Sequence, residues 1–176
     1  MNKIKRLKQS ETEAIVARTH RRISGVALGD VKIGVLIKQS HELIMDDLNN
    51  RLAPYGLSHV AYFAMNTLYS ITDNLANPSE LCVITGETRA NMTRICDDLV
   101  EKALMRRVTN LEDRRRVDLS LTDEGIALLK TVIPDLRKNL QATMKVFSKE
   151  EKATLVALLT RLNQNLEAGR PRFSNM

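Results

Sequence analysis

Polar side chains are concentrated between residues 88 and 94, where Thr88, Arg89, Asn91, Thr93 and Arg94 fall within seven positions. Arginine and asparagine each present two hydrogen-bonding atoms side by side. This arrangement matches guanine and adenine edges in the DNA major groove, and each pair discriminates by about 1–3 kcal/mol. The cluster therefore predicts a DNA-reading helix, with an ordinary solvated helix face as the alternative.

A second basic cluster follows at Arg114, Arg115 and Arg116. A narrow A·T-rich minor groove has a strong negative potential that attracts inserted arginine. Asp113 is not a DNA ligand in this interpretation, because a carboxylate holds neighbouring arginines through charge-assisted hydrogen bonds. Ser79, at a predicted helix start, is a candidate phosphate contact together with its backbone N–H groups. The alternative for the arginines is a solvated charged turn.

Two short helices are predicted to position the first cluster. Asn77 caps a helix that reaches about Ile84, with Pro78 in its first turn and Glu80 at its third position. Gly86 lies in the turn, and Thr88 caps a second helix to about Ala103. The second helix has an inward apolar stripe of Met92, Ile95, Cys96, Leu99 and Val100. A helix pair with a three-residue turn predicts a helix-turn-helix.

A hairpin is predicted to position the arginines. Residues 104–109 can form one strand, and residues 117–121 alternate apolar and polar side chains, which predicts a half-buried strand. The arginines lie at the tip between them. A helix-turn-helix followed by a basic-tipped hairpin is a winged helix, so the predicted fold class is mainly α with one small hairpin.

Longer helices flank this module. The periodicity predicts helices over residues 31–52, over 58–72 with Ser58 as cap, and from Thr122 through Pro134, where we expect a kink or irregularity. Ser148 begins a capping box for the last helix. Residues 1–30 carry +4 of the net charge of +6, and we expect them to form a poorly ordered basic arm. Residues 169–176 are expected to form a tail.

The composition narrows the function further. The chain has 176 residues, 43% hydrophobic and 27% charged, with a pI of about 9.5, which suits a soluble protein with a polyanionic partner. It contains neither an 18-residue apolar run nor a signal-peptide pattern, so we expect no membrane association and a cytoplasmic location. Nucleophile–base pairs, phosphate loops and metal-ligand spacings are absent, so we expect no enzyme activity, metal or cofactor.

Residues 78–125 resemble the MarR family of bacterial transcriptional regulators, and the helical layout extends the resemblance to about 31–168. The wing motif and its spacing to the strand end are the specific part, and the helix motif is most similar to EmrR-type repressors of multidrug-efflux operons. The family usually has glycine where this chain has Ala103. The matching residues are Pro78-Ser79-Glu80-Leu81, Gly86, Arg89, Asn91-Met92-Thr93-Arg94-Ile95, Asp98-Leu99, Arg107, Asp113-Arg114-Arg115, Leu119-Ser120-Leu121-Thr122 and Gly125.

The resemblance implies a homodimer. Residues 31–56 and 123–168 would form its dimerisation region and 57–122 the DNA-binding domain, with two recognition helices spaced for a pseudo-palindromic promoter site. By resemblance, Arg115 enters or borders the minor groove, while Arg114 and Arg116 contact phosphate or remain solvated. The family also implies release by a phenolic or lipophilic effector. Candidate lining residues are His41, Tyr55, Tyr62 and Met65, for which ordinary packing is the alternative.

Three other functions remain open. A nucleoid-associated protein would use the basic arm as its main anchor. A protein-interaction module would keep the fold without reading DNA. A redox-sensing regulator would use Cys82 or Cys96, although both are predicted to lie on inward helix faces, where cysteines are mostly inert.

Overall fold

A computed structural model describes residues 9–22, 27–71, 74–109 and 117–169 of the chain. The predicted wing tip, including Asp113, Arg114, Arg115 and Arg116, lies outside these residues, as do residues 1–8 and most of the predicted tail. The elements in chain order are α1 (Gln9–Arg22), α2 (Leu28–Leu52), a 3-10 turn (Ala53–Tyr55), α3 (His59–Ser70), α4 (Pro78–Thr85), α5 (Arg89–Glu101), β1 (Met105–Thr109), β2 (Val117–Leu121), α6 (Asp123–Thr143), a 3-10 turn (Met144–Val146) and α7 (Lys149–Ala168).

The chain divides into two compact units, residues 1–126 and 127–176. The first unit contains the helix-turn-helix and the hairpin, so the predicted mainly α winged helix is confirmed. Its core comes from the end of α2, from α3, α4 and α5, and from both strands. The side chains that are at most 1% exposed include Leu52, Met65, Leu68, Leu81, Met92, Leu99, Met105 and Leu119.

Local signals place the helix starts as predicted. The Ser58 hydroxyl accepts a hydrogen bond from the Ala61 N–H at 3.2 Å and caps α3. The capping boxes of α4 and α7 are both formed. These bonds satisfy backbone donors that lack partners within the helix. Two helix ends differ slightly from the prediction. The α2 helix begins three residues before the predicted Val31, and α5 ends two residues before Ala103.

The hairpin is antiparallel, and its register pairs Met105 with Leu121 and Thr109 with Val117. Ala76 pairs with Leu119 on the other edge of β2, through hydrogen bonds of 3.2 and 2.8 Å. The prediction of a half-buried strand is wrong for β2, because Asp118 and Ser120 are also buried, at 9% and 6% exposure. This strand lies between β1 and Ala76 and packs against α3, so it is more enclosed than one strand of an isolated hairpin.

The expectation of a poorly ordered arm is wrong for residues 9–22, which form α1. This helix packs against α2, where Val16 is only 8% exposed and the Gln39 amide donates to the Thr12 hydroxyl at 3.1 Å. The burial of Val16 and the Gln39–Thr12 hydrogen bond hold α1 against α2. The charge of residues 1–30 does not predict this contact. Within the described ranges, every helix is too short or too polar to cross a membrane.

The second unit consists of most of α6, the turn at 144–146 and α7. Leu129 and Val132 are fully buried. The helix α6 continues through Pro134 to Thr143, so proline, which lacks an N–H and normally interrupts a helix, does not end this one. Along α7, apolar side chains remain substantially exposed, namely Leu155, Val156, Leu158, Leu159 and Leu166.

Candidate nucleic-acid interface

A tight turn presents α5 at the surface. Gly86 has a φ of +72° and closes α4 with an N–H bond to the Cys82 carbonyl at 2.9 Å. This left-handed conformation is open to glycine without a steric penalty. Two residues later the Thr88 hydroxyl caps α5 by accepting from the Asn91 N–H at 3.3 Å. The predicted DNA-reading helix therefore begins immediately after the turn.

The two faces of α5 differ as the sequence predicts. Met92, Ile95, Cys96 and Leu99 are buried, which anchors the helix in the core of the first unit. On the opposite face, the residues Thr88, Arg89, Thr93 and Arg94 are exposed and Asn91 is half-buried. The structure thus brings the predicted reading residues together at the N-terminal half of one helix.

Side-chain hydrogen bonds already organise this face. The Arg94 guanidinium donates to Asn91 Oδ1 at 3.0 Å, and Asn91 Nδ2 donates to Glu87 Oε2 at 2.7 Å. The Thr93 hydroxyl donates to the Arg89 carbonyl at 2.9 Å, so its proton is committed to the helix backbone. Glu87 was absent from the sequence prediction, although its spacing of four residues from Asn91 is a recognisable side-chain pairing on a helix surface.

Two acidic groups of the later turns of α5 have basic partners. Asp97 forms an ion pair with Arg107 of β1, and Asp98 accepts from Lys102 at 2.8 Å. Exposed ion pairs of this kind contribute at most about 1 kcal/mol. The Asp97–Arg107 pair nevertheless connects the recognition helix to the first strand of the wing.

The α5 helix ends in a left-handed turn at Ala103, whose φ is +56°. The Ala103 N–H donates to the Val100 carbonyl and the Leu104 N–H to the Leu99 carbonyl, at 3.0 and 2.9 Å. This pair of bonds is a Schellman motif, which usually has glycine at the left-handed position. In this chain the left-handed helix end is therefore formed by an alanine.

Ser79 lies at the N-terminus of α4, where the residue is exposed. Its backbone N–H already donates to the Asn77 side-chain oxygen at 2.9 Å, and the Glu80 N–H donates to the same oxygen at 3.1 Å. The cap therefore occupies the backbone N–H groups that were predicted to contact phosphate. The Ser79 hydroxyl remains the candidate contact.

The described part of the hairpin carries basic side chains that lie outside the predicted set. Arg106 and Arg107 of β1 are both exposed. β1 ends at Thr109 and β2 begins at Val117, so the predicted arginine tip connects these two ends. Arg107 is exposed, and its ion pair with Asp97 links the wing to α5.

Cys96 is a poor candidate for redox sensing. Burial, and then the nearby Asp97 and Cys82, raise the pKa of its thiol to about 11, while Arg107 opposes this shift. The thiolate is the nucleophilic form, so a thiol with this pKa is inert at neutral pH. Cys82 is half-buried on α4 and is also a free thiol.

The four candidate effector residues lie on three elements. His41 is exposed on α2, Tyr55 is half-buried in the 3-10 turn, and Tyr62 is half-buried on α3. The Tyr62 ring contacts that of Phe63 with centroids 5.5 Å apart. Met65 is fully buried in the core. An effector role for these residues stays a prediction.

Comparison with known proteins places this architecture among transcriptional regulators, although no protein-family model matches the chain. The transcriptional repressor MprA of Escherichia coli K12 is 32% identical over 130 residues, covering 72% of this chain and 74% of that protein. The transcriptional repressor YetL of Bacillus subtilis is 29% identical over 119 residues, covering 68% and 71%.

Solved structures share the fold. A mutant of MarR from E. coli, complexed with operator DNA, is 25% identical, has a TM-score of 0.66 and covers 79% of this chain and 99% of its own. Sco3205 of Streptomyces coelicolor, a MarR family regulator in complex with DNA, has a TM-score of 0.73 at 21% identity, covering 84% and 96%. These relatives are regulators and not enzymes. Together with the winged helix and its polar recognition face, they show that this chain belongs to the MarR family of transcriptional regulators.

Proposed function

We propose that the protein is a homodimeric repressor that binds a pseudo-palindromic promoter site and is released from it by a small phenolic or lipophilic effector. The observation that carries the proposal is the polar, exposed N-terminal half of α5, which is held at the surface by a buried apolar stripe. A recognition helix reads DNA with this half. Access to the chromosome implies a cytoplasmic location.

The exposed apolar side chains of two helices support a dimer. On α2, Ile33, Leu43 and Ile44 are 56%, 60% and 40% exposed. The α7 helix exposes its own set of leucines and a valine. Large apolar side chains that are exposed along a helix are typical of an association site. A symmetric dimer would cover such side chains on each helix and would place two recognition helices on successive turns of DNA.

The effector class rests on the resemblance to EmrR-type repressors and on similarity to MprA. We propose that His41, Tyr55, Tyr62 and Met65 line or border its site. Displacement of the protein from its DNA by a panel of phenolic and lipophilic compounds tests this proposal. Retention of the complex with every compound at concentrations that release a known family member would contradict it.

Selection of bound sequences from random duplex DNA tests the DNA proposal. We expect one palindromic sequence, bound with a steep dependence on salt because several phosphates are neutralised. Arg94→Ala should relax the preference at one base pair per half-site, Arg115→Ala should weaken binding, and Ser79→Ala should weaken binding to all sequences alike. Arg161→Ala on exposed α7 removes the same charge and serves as control.

Two outcomes would contradict the proposal that α5 and the wing bind DNA. Wild-type affinity in both Arg94→Ala and Arg115→Ala at fixed salt would show that neither α5 nor the wing faces DNA. Binding without any preferred sequence, abolished by deletion of residues 1–28, would instead indicate the nucleoid-associated alternative.

A further inference from the structure

Three side chains form a continuous hydrogen-bonded chain across the start of the recognition helix. Glu87 lies in the turn before α5 and accepts from Asn91 Nδ2 at 2.7 Å. Asn91 Oδ1 in turn accepts from Arg94 Nη2 at 3.0 Å. Glu87 and Asn91 are half-buried, whereas Arg94 is exposed. One end of this chain is therefore a half-buried carboxylate and the other end is an exposed guanidinium.

This chain determines the orientation of the Asn91 amide. The amide has a donor end and an acceptor end, and a carboxylate can only accept a hydrogen bond while a guanidinium can only donate one. A rotated amide would place its oxygen against Glu87 and its NH2 group against Arg94, which would break both bonds. Only the observed orientation satisfies both neighbours, so Glu87 holds Asn91 and Asn91 holds Arg94.

We propose that Glu87 is a positioning residue that sets the base specificity of Arg94. This inference rests on the proposed DNA-binding function. A guanidinium held in one orientation can meet the O6 and N7 atoms of guanine without first losing its rotational freedom. Asn91 uses one donor and one acceptor site in the chain and therefore acts as the link between Glu87 and Arg94, while its second N–H and its second oxygen lone pair stay available.

The same carboxylate has a cost for affinity. A negative charge beside the DNA-facing end of α5 repels phosphates regardless of sequence, because phosphate contacts dominate non-specific binding. Glu87 therefore favours discrimination at the expense of total affinity. Direct acceptance by Glu87 from the amino group of cytosine is the competing role, since glutamate can read that base.

A comparison of Glu87→Ala with Glu87→Gln tests the proposal. The base pair read by Arg94 is first identified as the one whose preference Arg94→Ala removes in a selection from random duplex DNA. Glu87→Ala should lower discrimination at that same base pair by about fivefold, within the range of coupling between contacting residues. Glu87→Gln keeps an acceptor for Asn91, so it should retain the discrimination while raising affinity for all sequences.

Glu101→Ala is the matched control. Glu101 is an exposed residue of the last turn of α5, and its loss changes the net charge equally without touching the chain of hydrogen bonds. It should leave the preferred base unchanged. Glu87→Ala and Arg94→Ala should also be non-additive in a double-mutant cycle at the selected site.

Three results would overturn the inference. The first is unchanged base discrimination in Glu87→Ala. The second is a loss of discrimination at a different base pair, which would indicate that Glu87 reads that base directly. The third is strict additivity of Glu87→Ala and Arg94→Ala in the double-mutant cycle. Each of them presupposes that the wild-type protein selects a sequence. Failure of the wild type to select one would instead reject the proposed function itself, so the two failures are distinguishable.

Discussion

Ala103 adopts a backbone conformation that side chains with a Cβ disfavour. Its φ of +56° lies in the left-handed region, which costs an L-residue about 1–2 kcal/mol relative to right-handed geometry. The carbonyl of Ala103 also accepts from the Thr122 hydroxyl at 2.6 Å, so the surrounding structure holds the residue in place. The strain is thus retained by contacts with a segment about twenty residues away in sequence.

Ala103→Gly should stabilise the protein. Glycine removes the left-handed penalty but loses more freedom on folding, so we expect a net gain of roughly 0.5–1 kcal/mol in the free energy of unfolding. Urea denaturation measures this change. Ala90→Gly, in the right-handed first turn of α5, should change stability in the opposite direction. A loss of stability in Ala103→Gly would show that the residue is not strained.

The junction between the wing and α6 depends on a close backbone approach. Thr122 caps α6 by accepting from the Gly125 N–H at 3.0 Å, and its own N–H donates to the Leu104 carbonyl at 3.2 Å. A Cβ on Gly125 would lie 2.1 Å from that carbonyl oxygen. The start of α6 therefore touches the end of the recognition-helix turn, and only glycine permits this contact.

Gly125→Ala should destabilise the protein strongly. Backbone must move to accommodate the added methyl, and overpacking of this kind costs about 1–3 kcal/mol. Thermal or urea unfolding measures the effect. Gly29→Ala on α2 meets no atom within 4 Å and should leave stability unchanged or slightly higher. Equal stability of the two variants would contradict the close approach.

At the scale of the whole molecule, the exposed apolar surface of α2 determines the expected assembly. Leu43 is 60% exposed, which suits a side chain that a second copy would cover. Avidity through two half-sites can exceed the affinity for one by on the order of 10²–10⁴. Operator affinity should therefore depend on the dimer as well as on the recognition helix.

Leu43→Glu should shift the protein from dimer to monomer, because a charge cannot be buried without a partner. Sedimentation should show half the mass, and operator affinity should fall on the order of a hundredfold or more. Val83→Glu on α4, where Val83 is 84% exposed, introduces the same charge and should leave the mass unchanged. A dimeric Leu43→Glu protein would place the interface elsewhere.

The sequence by itself determined most elements of the first unit. The caps at Ser58, Asn77 and Thr88 and the apolar stripe of α5 are local signals, since each interaction joins residues only a few positions apart. For the same reason it placed the reading residues on one exposed helix face. The sequence also indicated that Ala103 takes a position usually held by glycine, because a left-handed helix end is a local conformation.

Contacts between distant segments decided the rest. The Gln39–Thr12 bond between α2 and α1 joins residues 27 positions apart, and the pairing of Ala76 with Leu119 helps to enclose β2 from a distant segment; no periodicity reveals such contacts. Whether a polar side chain is free to meet DNA depends on its neighbours in space, and these are set by packing.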